Sequence, residues 1–214
     1  LLRPTAGRAT MLGRDCRRDG RRARAEVGYL PGELRLYPDL SGRQVLQLLA
    51  RLSARPVDAG IQRALLDRLS FSDRDLARPV GEYSAGMKRK IGIVQAFQSD
   101  PELLILDEPT EGLDPLMQEA FYSLLGEARQ RGRTVFMSSH VLSEVDRVCD
   151  RIGVLREGRL VIDSPVDDVR RLAPRGVCVT FTGPVTAPDT WPDGIAAVAI
   201  EPARWRLRAA RDVG

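Results

Sequence analysis

Two adjacent carboxylates end an apolar run in this chain. Residues 103–115 have the sequence LLILDEPTEGLDP, and the apolar start of this segment is typical of a buried parallel strand. Ligands of open parallel sheets bind at the carboxyl ends of the strands, so we expect Asp107 and Glu108 at the rim of a site. One carboxylate there can hold Mg²⁺ while the next polarises an attacking water. For a bare pair, an ordinary strand that ends in a polar turn is the commoner explanation.

His140 is the only histidine of the chain. A lone histidine is more often a structural residue than a functional one. This one follows a β-prone run at 134–138, so it is expected at the same kind of strand end as Asp107. A histidine in that place can donate a hydrogen bond to a γ-phosphate and anchor the attacking water.

A third element is the sequence YSAGM, which begins with Tyr83 and Ser84. A serine and small residues that open a helix present backbone N–H groups and a hydroxyl to an anion. Taken alone, the same pattern indicates a simple helix N-cap. The order and spacing of Ser84, Asp107 and His140 are more specific together than any one of them.

The pattern of the rest of the chain predicts alternating helices and strands, and hence an α/β fold with a parallel sheet. A capping box at Ser41–Gln44 predicts a helix, and further helices are expected at 58–69, 84–97, from about 116, and at 142–149. The helices at about 40–98 form an insert between strands. Strand-like runs at 177–181 and 195–200 predict a small β-rich extension at 175–214.

The composition is typical of a soluble globular protein: 214 residues, 43% apolar, 29% charged and a net charge of +4. The sequence has neither a membrane-spanning run nor a signal peptide, which predicts a cytoplasmic protein. The three widely spaced cysteines argue against a disulfide framework or a zinc site.

An arginine cluster at 14–24 has two interpretations. It is compatible with a nucleic-acid or lipid-headgroup patch, but the interleaved acids and the turn signal at Asp19-Gly20 favour a solvated hairpin. No aromatic residues interleave for base stacking, so no nucleic-acid partner is expected.

Together these motifs resemble the nucleotide-binding domain of ABC transporters. The segment YSAGMKRK is similar to the signature motif of that family, LLILDEPT to its Walker B strand, GLDP to its D-loop and SSH to its H-loop. The resemblance covers residues 1–172. It implies a P-loop NTPase-like core in a subunit that binds ATP and Mg²⁺, pairs head to tail with a second ATPase subunit as a homodimer, and energises a membrane permease.

The resemblance also implies roles for single residues. Asp107 would serve Mg²⁺, Glu108 would be the general base, and His140 would contact the γ-phosphate. The ATP held by the partner subunit would meet the signature residues Ser84, Ala85 and Gly86, and Asp114 would link the two sites. Such a subunit would lie on the inner face of the cell membrane.

Three features depart from the family pattern. Tyr83, Ala85 and Met87 stand where leucine, glycine and glutamine are usual. At the Q-loop position a glutamine normally touches Mg²⁺ and couples to the permease, whereas this chain has Gly32 followed by Glu33. Three alternatives stay open: Glu33 replaces the glutamine, a water replaces it, or this subgroup couples differently. The sequence GYLPGEL around this position is similar to single-domain drug-exporter ATPases of bacteria.

The third departure is that residues 1–214 contain no G-x-x-x-x-G-K-[ST] segment to cradle the phosphates. The chain starts with Leu1, which suggests a fragment whose first strands and P-loop lie upstream. Two alternatives stay open at this point. One is a soluble ABC-type ATPase acting on DNA or ribosomes, and the other is a regulatory protein that lost its nucleotide chemistry.

Overall fold

The computed structural model describes residues 5–172, 175–180, 182–183, 185–186, 195–201 and 203–209. The chain forms two compact units, Leu1–Val148 and Cys149–Gly214. The predicted division into a part at 1–172 and an extension at 175–214 stays a prediction. Among the described residues, no helix combines the length and the apolar character that a membrane span requires.

The first unit is built on a three-stranded parallel sheet. Its strands are β3 (Val27–Leu30), β4 (Leu103–Asp107) and β5 (Thr134–Ser138), with β4 in the middle. Asp107 is paired with Ser138 in the register of β4 and β5, and Leu30 is paired with Leu106 in that of β3 and β4. The carboxyl ends of all three strands therefore meet at one edge, which the sequence predicts for β4 and β5.

The predicted helices of this unit are confirmed to within about two residues at each end. Ser41 and Gln44 form the expected capping box. The pattern did not predict a short helix whose capping box is formed by Ser72 and Asp75, nor the 3₁₀ turn Val80–Glu82. The helices after β3 are α2 (Gly42–Leu52), α3 (Ala59–Arg68), α4 (Asp73–Ala77), α5 (Ala85–Phe97), α6 (Pro115–Gln130) and α7 (Leu142–Val148).

Helix α5 is fixed against β3 by close backbone contact. Ile91, Ile93 and Val94 are fully buried. A Cβ atom at Gly28 of β3 would lie 2.0 Å from the carbonyl oxygen of Ala96, so only glycine permits this approach. The N-terminus of α5, which carries the YSAGM motif, therefore has a fixed position relative to the sheet.

The prediction of a hairpin at Asp19-Gly20 is wrong. The hairpin lies earlier, between β1 (Thr10–Met11) and β2 (Arg14–Asp15), and Gly20–Ala25 forms helix α1. The Asp15 carboxylate accepts hydrogen bonds from the backbone N–H groups of Arg17 and Arg18, which turns the chain into the helix. Burial of Ala23 then gives α1 an inner face.

The second unit contains mainly antiparallel strands. Strands β6 (Arg151–Arg156) and β7 (Arg159–Pro165) form a hairpin, and α8 (Val166–Leu172) follows. Three further strands follow: β8 (Arg175–Thr180), β9 (Ile195–Glu201) and β10 (Arg204–Ala209). They form a second sheet in the order β8-β10-β9, and β10 was not predicted. Of the predicted runs, Phe181 lies outside the described residues.

Candidate functional site

One hydroxyl orients both carboxylate residues at the end of β4. Ser138 Oγ donates a hydrogen bond to Asp107 Oδ1 over 2.5 Å, and it accepts one from the backbone N–H of Glu108 over 3.1 Å. The in-register pairing of β4 and β5 places Ser138 directly beside Asp107. The strand ends therefore hold two carboxylates at the edge of the sheet.

The backbone at Glu108 adopts a left-handed conformation with φ of 47°. This region is unfavourable for a non-glycine residue, and such strain persists only where surrounding contacts over-determine it. Here the N–H of Glu108 is held by Ser138. Glu108 Oε2 lies 2.9 Å from His140 Nδ1, so the fold brings the expected general base and the only histidine of the sequence together.

The Glu108 carboxylate raises the pKa of His140 above its ordinary value of 6.5, through the hydrogen bond first and then through charge attraction. The ion pair therefore stabilises the folded state fully below about pH 6.5. That contribution is lost as the pH rises through the pKa of His140 in the folded protein.

Because His140 is the only histidine, its ring protons can be followed by NMR during a pH titration. We expect a midpoint above 6.5 that falls towards 6.5 in Glu108→Gln. Glu111→Gln is the matched control and should move the midpoint less, since Glu111 acts on the ring only by weaker charge attraction. A midpoint at or below 6.5 in the unmodified protein would contradict the pairing.

The second oxygen of Asp107 faces Gly32 in the turn after β3. A Cβ atom at position 32 would lie 2.9 Å from Asp107 Oδ2, so a side chain there would crowd the carboxylate. The next residue, Glu33, does not join this group. Its side chain is 83% exposed and pairs with Arg35 over 3.2 Å.

A second group forms where α5 begins. Ser84 caps the helix by accepting a hydrogen bond from the backbone N–H of Met87 over 3.2 Å. A Cβ atom at Gly86 would lie 2.7 Å from the carbonyl oxygen of Gly112, whose φ is +76°. A Cβ atom at Gly112 would in turn lie 3.7 Å from the Cβ of Ala85. The YSAGM segment thus packs on the turn that follows Glu108.

Asp114 ends that turn as the N-cap of α6, where its side chain accepts a hydrogen bond from the backbone N–H of Met117 over 3.0 Å. This is a local structural role. A link between two sites stays a prediction for Asp114.

Tyr83 has a structural explanation. Its ring lies 5.5 Å from that of Phe71, and its hydroxyl donates to the carbonyl oxygen of Asp75 over 2.6 Å. Burial raises the pKa of this phenol. A leucine would lose the hydrogen bond, so the tyrosine fastens the short helix α4 to the start of α5.

Sequence reasoning missed two residues of the site. Arg89 is buried and donates hydrogen bonds to several backbone carbonyls. Glu144 is buried in α7 and accepts hydrogen bonds from Thr110 Oγ1 over 2.7 Å and from Ser139 Oγ over 2.8 Å. It joins the turns that follow Glu108 and Ser138. Burial and this carboxylate raise the pKa of Tyr122 to about 12.

Signals for both residues exist in the sequence but are weak. Arg89 stands between two lysines, and Glu144 is one of two acids in the short helix α7. Both patterns usually indicate solvent-exposed faces.

Strand-end carboxylates with a neighbouring histidine, at the carboxyl edge of a parallel sheet, occupy the place where α/β domains bind their ligands. The ABC transporter family model matches residues 1–111, more than half of the chain. The chain therefore belongs to the ABC transporter family, and its fold is that of the family's ATP-binding subunits.

Curated relatives are similar over most of this chain. The bacitracin transport ATP-binding protein BcrA of Enterococcus faecalis is 34% identical over 80% of the chain and 55% of its own length. The Nod factor export ATP-binding protein I of Burkholderia lata is 35% identical over 76% of the chain and 54% of its own length. The chain thus spans about half the length of these relatives.

A solved structure of the ATP-binding subunit of an ABC transporter shares the fold. It matches with a TM-score of 0.68 and 32% identity over 75% of this chain and 67% of that one.

Proposed function

We propose that the protein binds and hydrolyses ATP and thereby energises a membrane exporter. In this proposal two subunits pair head to tail, and the dimer closes when ATP binds between them. The observation that carries this proposal is the hydrogen-bonded group at the end of β4, in which Ser138 orients Asp107 and Glu108, and Glu108 meets His140. Its residues have the chemistry that phosphoryl transfer to water requires.

Glu108 is the group that accepts the proton of the attacking water at Oε1 or Oε2. A general base must lie within hydrogen-bond reach of the proton it takes. The backbone of Glu108, which is held by Ser138, keeps this carboxylate at the carboxyl end of β4. When the His140 ring is protonated, both of its nitrogens are donors, so Nδ1 can donate to Glu108 while Nε2 donates to a phosphate oxygen.

Asp107 is the residue that would hold Mg²⁺. Magnesium is usually bound in proteins by one or two carboxylates together with waters and phosphate oxygens, and Asp107 Oδ2 faces a glycine that leaves room at the carboxylate. When bound, the ion supplies positive charge to the phosphates. Ser138 meanwhile keeps the other oxygen of Asp107 in a fixed orientation.

The signature residues Ser84, Ala85 and Gly86 would contact the ATP of the partner subunit, with Asp114 near the joint between the two sites. The names of the relatives, which specify bacitracin transport and Nod factor export, support a membrane permease as partner. Such a subunit works at the inner face of the cell membrane.

The test uses the protein made from its complete reading frame. We expect Mg²⁺-dependent ATP hydrolysis, and Asp107→Asn should lower turnover at least tenfold and raise the Mg²⁺ concentration that is needed. Asp67→Asn, which changes an exposed carboxylate of α3, is the matched control and should leave both unchanged.

Two results would contradict the proposal. One is normal hydrolysis in Asp107→Asn. The other is a reading frame that encodes no phosphate-binding loop before Leu1 together with a protein that binds no ATP.

A further inference from the structure

Arg89 carries a buried positive charge in the first unit. It lies in α5, five residues after Ser84, and its side chain is only 6% exposed. A buried charge is costly unless it is paired and fully hydrogen-bonded. Its carboxylate partner is Glu111, whose own side chain is 65% exposed and lies 3.4 Å away. The remaining partners of the guanidinium must therefore account for its burial.

Those partners are backbone carbonyls from two turns. Arg89 Nη1 donates to Pro31 O over 3.0 Å, and Nη2 donates to Gly32 O over 2.8 Å. On the other side, Nε donates to Glu111 O over 3.3 Å, and Nη1 lies 3.5 Å from Asp107 O. A guanidinium offers five N–H donors in a rigid plane, which suits it to bridge several acceptors at once.

The two turns joined in this way are parts of the proposed ATP site. The turn at Pro31-Gly32 follows β3 and faces the Asp107 carboxylate. The turn at Glu111-Gly112 follows Glu108 and packs against Gly86 at the start of α5. Arg89 belongs to the same helix as Gly86, so a single side chain connects the Q-loop position, the end of β4 and the signature segment.

We propose that Arg89 is a positioning residue that locks these two turns together and so fixes Asp107 and Glu108 for hydrolysis, a role that rests on the proposed ATPase function. Arg89 connects to the Q-loop position through the carbonyl oxygen of Gly32, because glycine has no side chain that could make this contact. The N–H groups of Arg89 are directed at oxygen atoms of the protein, so we expect the side chain to make no direct contact with nucleotide. Its loss should therefore affect the chemical step more than nucleotide binding.

The first measurement does not depend on ATP. In Arg89→Met, backbone ¹⁵N order parameters at Gly32, Glu33, Glu111 and Gly112 should fall together, from about 0.85 in a rigid backbone towards about 0.6. Lys90→Met removes a cation from the next position of the same helix and is the matched control. It should leave both turns rigid. Rigid turns in Arg89→Met would overturn the proposal.

The second measurement separates positioning from general stability. In the complete protein, Arg89→Met should lower kcat for ATP hydrolysis about 10- to 100-fold, while KM for ATP changes less than about threefold. An unchanged kcat would overturn the proposal. If the unmodified protein hydrolyses no ATP, the proposed function fails, and the order parameters still decide the role of Arg89.

A conservative variant covers the case in which Arg89→Met does not fold. Arg89→Lys keeps the charge but has only one nitrogen, so it cannot span both turns. We expect one turn to stay rigid and the other to loosen, with kcat below that of the unmodified protein. Two rigid turns and full kcat in Arg89→Lys would show that the bridging fork is not needed and would overturn the proposal.

Discussion

Replacing Glu108 with glutamine is expected to lower ATP turnover at least about a hundredfold, because a positioned general base contributes about 10²–10⁴ to the rate. ATP binding should change by less than about threefold. The ATP-bound dimer should accumulate, since closure precedes the step that the substitution blocks. Turnover, equilibrium binding and size-exclusion chromatography with ATP measure these three quantities in the complete protein.

The local structure makes this substitution a clean one. Glutamine has nearly the same shape as glutamate, and its amide oxygen can still accept the hydrogen bond from His140 Nδ1. The backbone contact with Ser138 involves only the N–H of residue 108, so it is kept. What is lost is the negative charge, and with it the ability to take a proton from water and the ion pair with protonated His140, so stability is compared at a pH well above the midpoint of His140. A decrease in turnover without a loss of stability therefore reports on chemistry.

Glu102→Gln is the matched control, because Glu102 is an exposed residue that precedes the other end of β4. This variant should hydrolyse ATP at the unmodified rate. Normal hydrolysis by Glu108→Gln would show that another group takes the proton. A decrease of similar size in both variants would indicate a general effect of losing negative charge.

Much of the candidate site could be predicted from the positions at which the strands end. Asp107 and His140 come after β-prone runs, and the parallel pairing of β3, β4 and β5 brings those runs to one edge. The hydrophobic pattern and the helix caps predict the helices and strands, since each of these elements is determined by residues that are close together in sequence. The same reasoning failed at Gly20–Ala25. There the hydrogen bonds that the Asp15 carboxylate accepts from the backbone, together with the burial of Ala23, override the turn signal of Asp19-Gly20.

Contacts between distant residues could not be predicted in this way. Arg89 meets carbonyl groups 57 and 58 residues earlier in the chain, and no side-chain pattern marks a carbonyl as its partner. Glu144 meets Thr110 across 34 residues. The position of Glu33 was also undetermined, because only the three-dimensional structure shows it turned to solvent beside Arg35. Local sequence patterns predict the helices and strands, whereas these hydrogen bonds between distant residues are seen only in the folded structure.

Replacing Gly86 with alanine is expected to impair both stability and turnover. The added Cβ would lie 2.7 Å from the carbonyl oxygen of Gly112, and this atom belongs to the backbone and cannot rotate away. Either the start of α5 or the turn at Gly112 must move. Overpacking of this kind typically costs about 1–3 kcal/mol in the free energy of unfolding. Urea unfolding of the purified variant measures that cost.

Gly126→Ala is the matched control with the opposite expected sign. Gly126 is exposed within α6, and a Cβ atom there would have no neighbour within 4 Å. Alanine at such a position should stabilise the protein by about 0.4–1 kcal/mol, mainly by restricting the unfolded chain. Its ATP turnover should be unchanged.

The two alanine variants together separate the effect of the close contact from the effect of losing a glycine. In Gly86→Ala, movement of the turn at Gly112 displaces the segment between Glu108 and Asp114, so turnover should fall about tenfold or more. The decrease should persist at temperatures where the variant is fully folded. If Gly86→Ala were as stable and as active as Gly126→Ala, the close contact between the signature segment and the D-loop would not exist in solution.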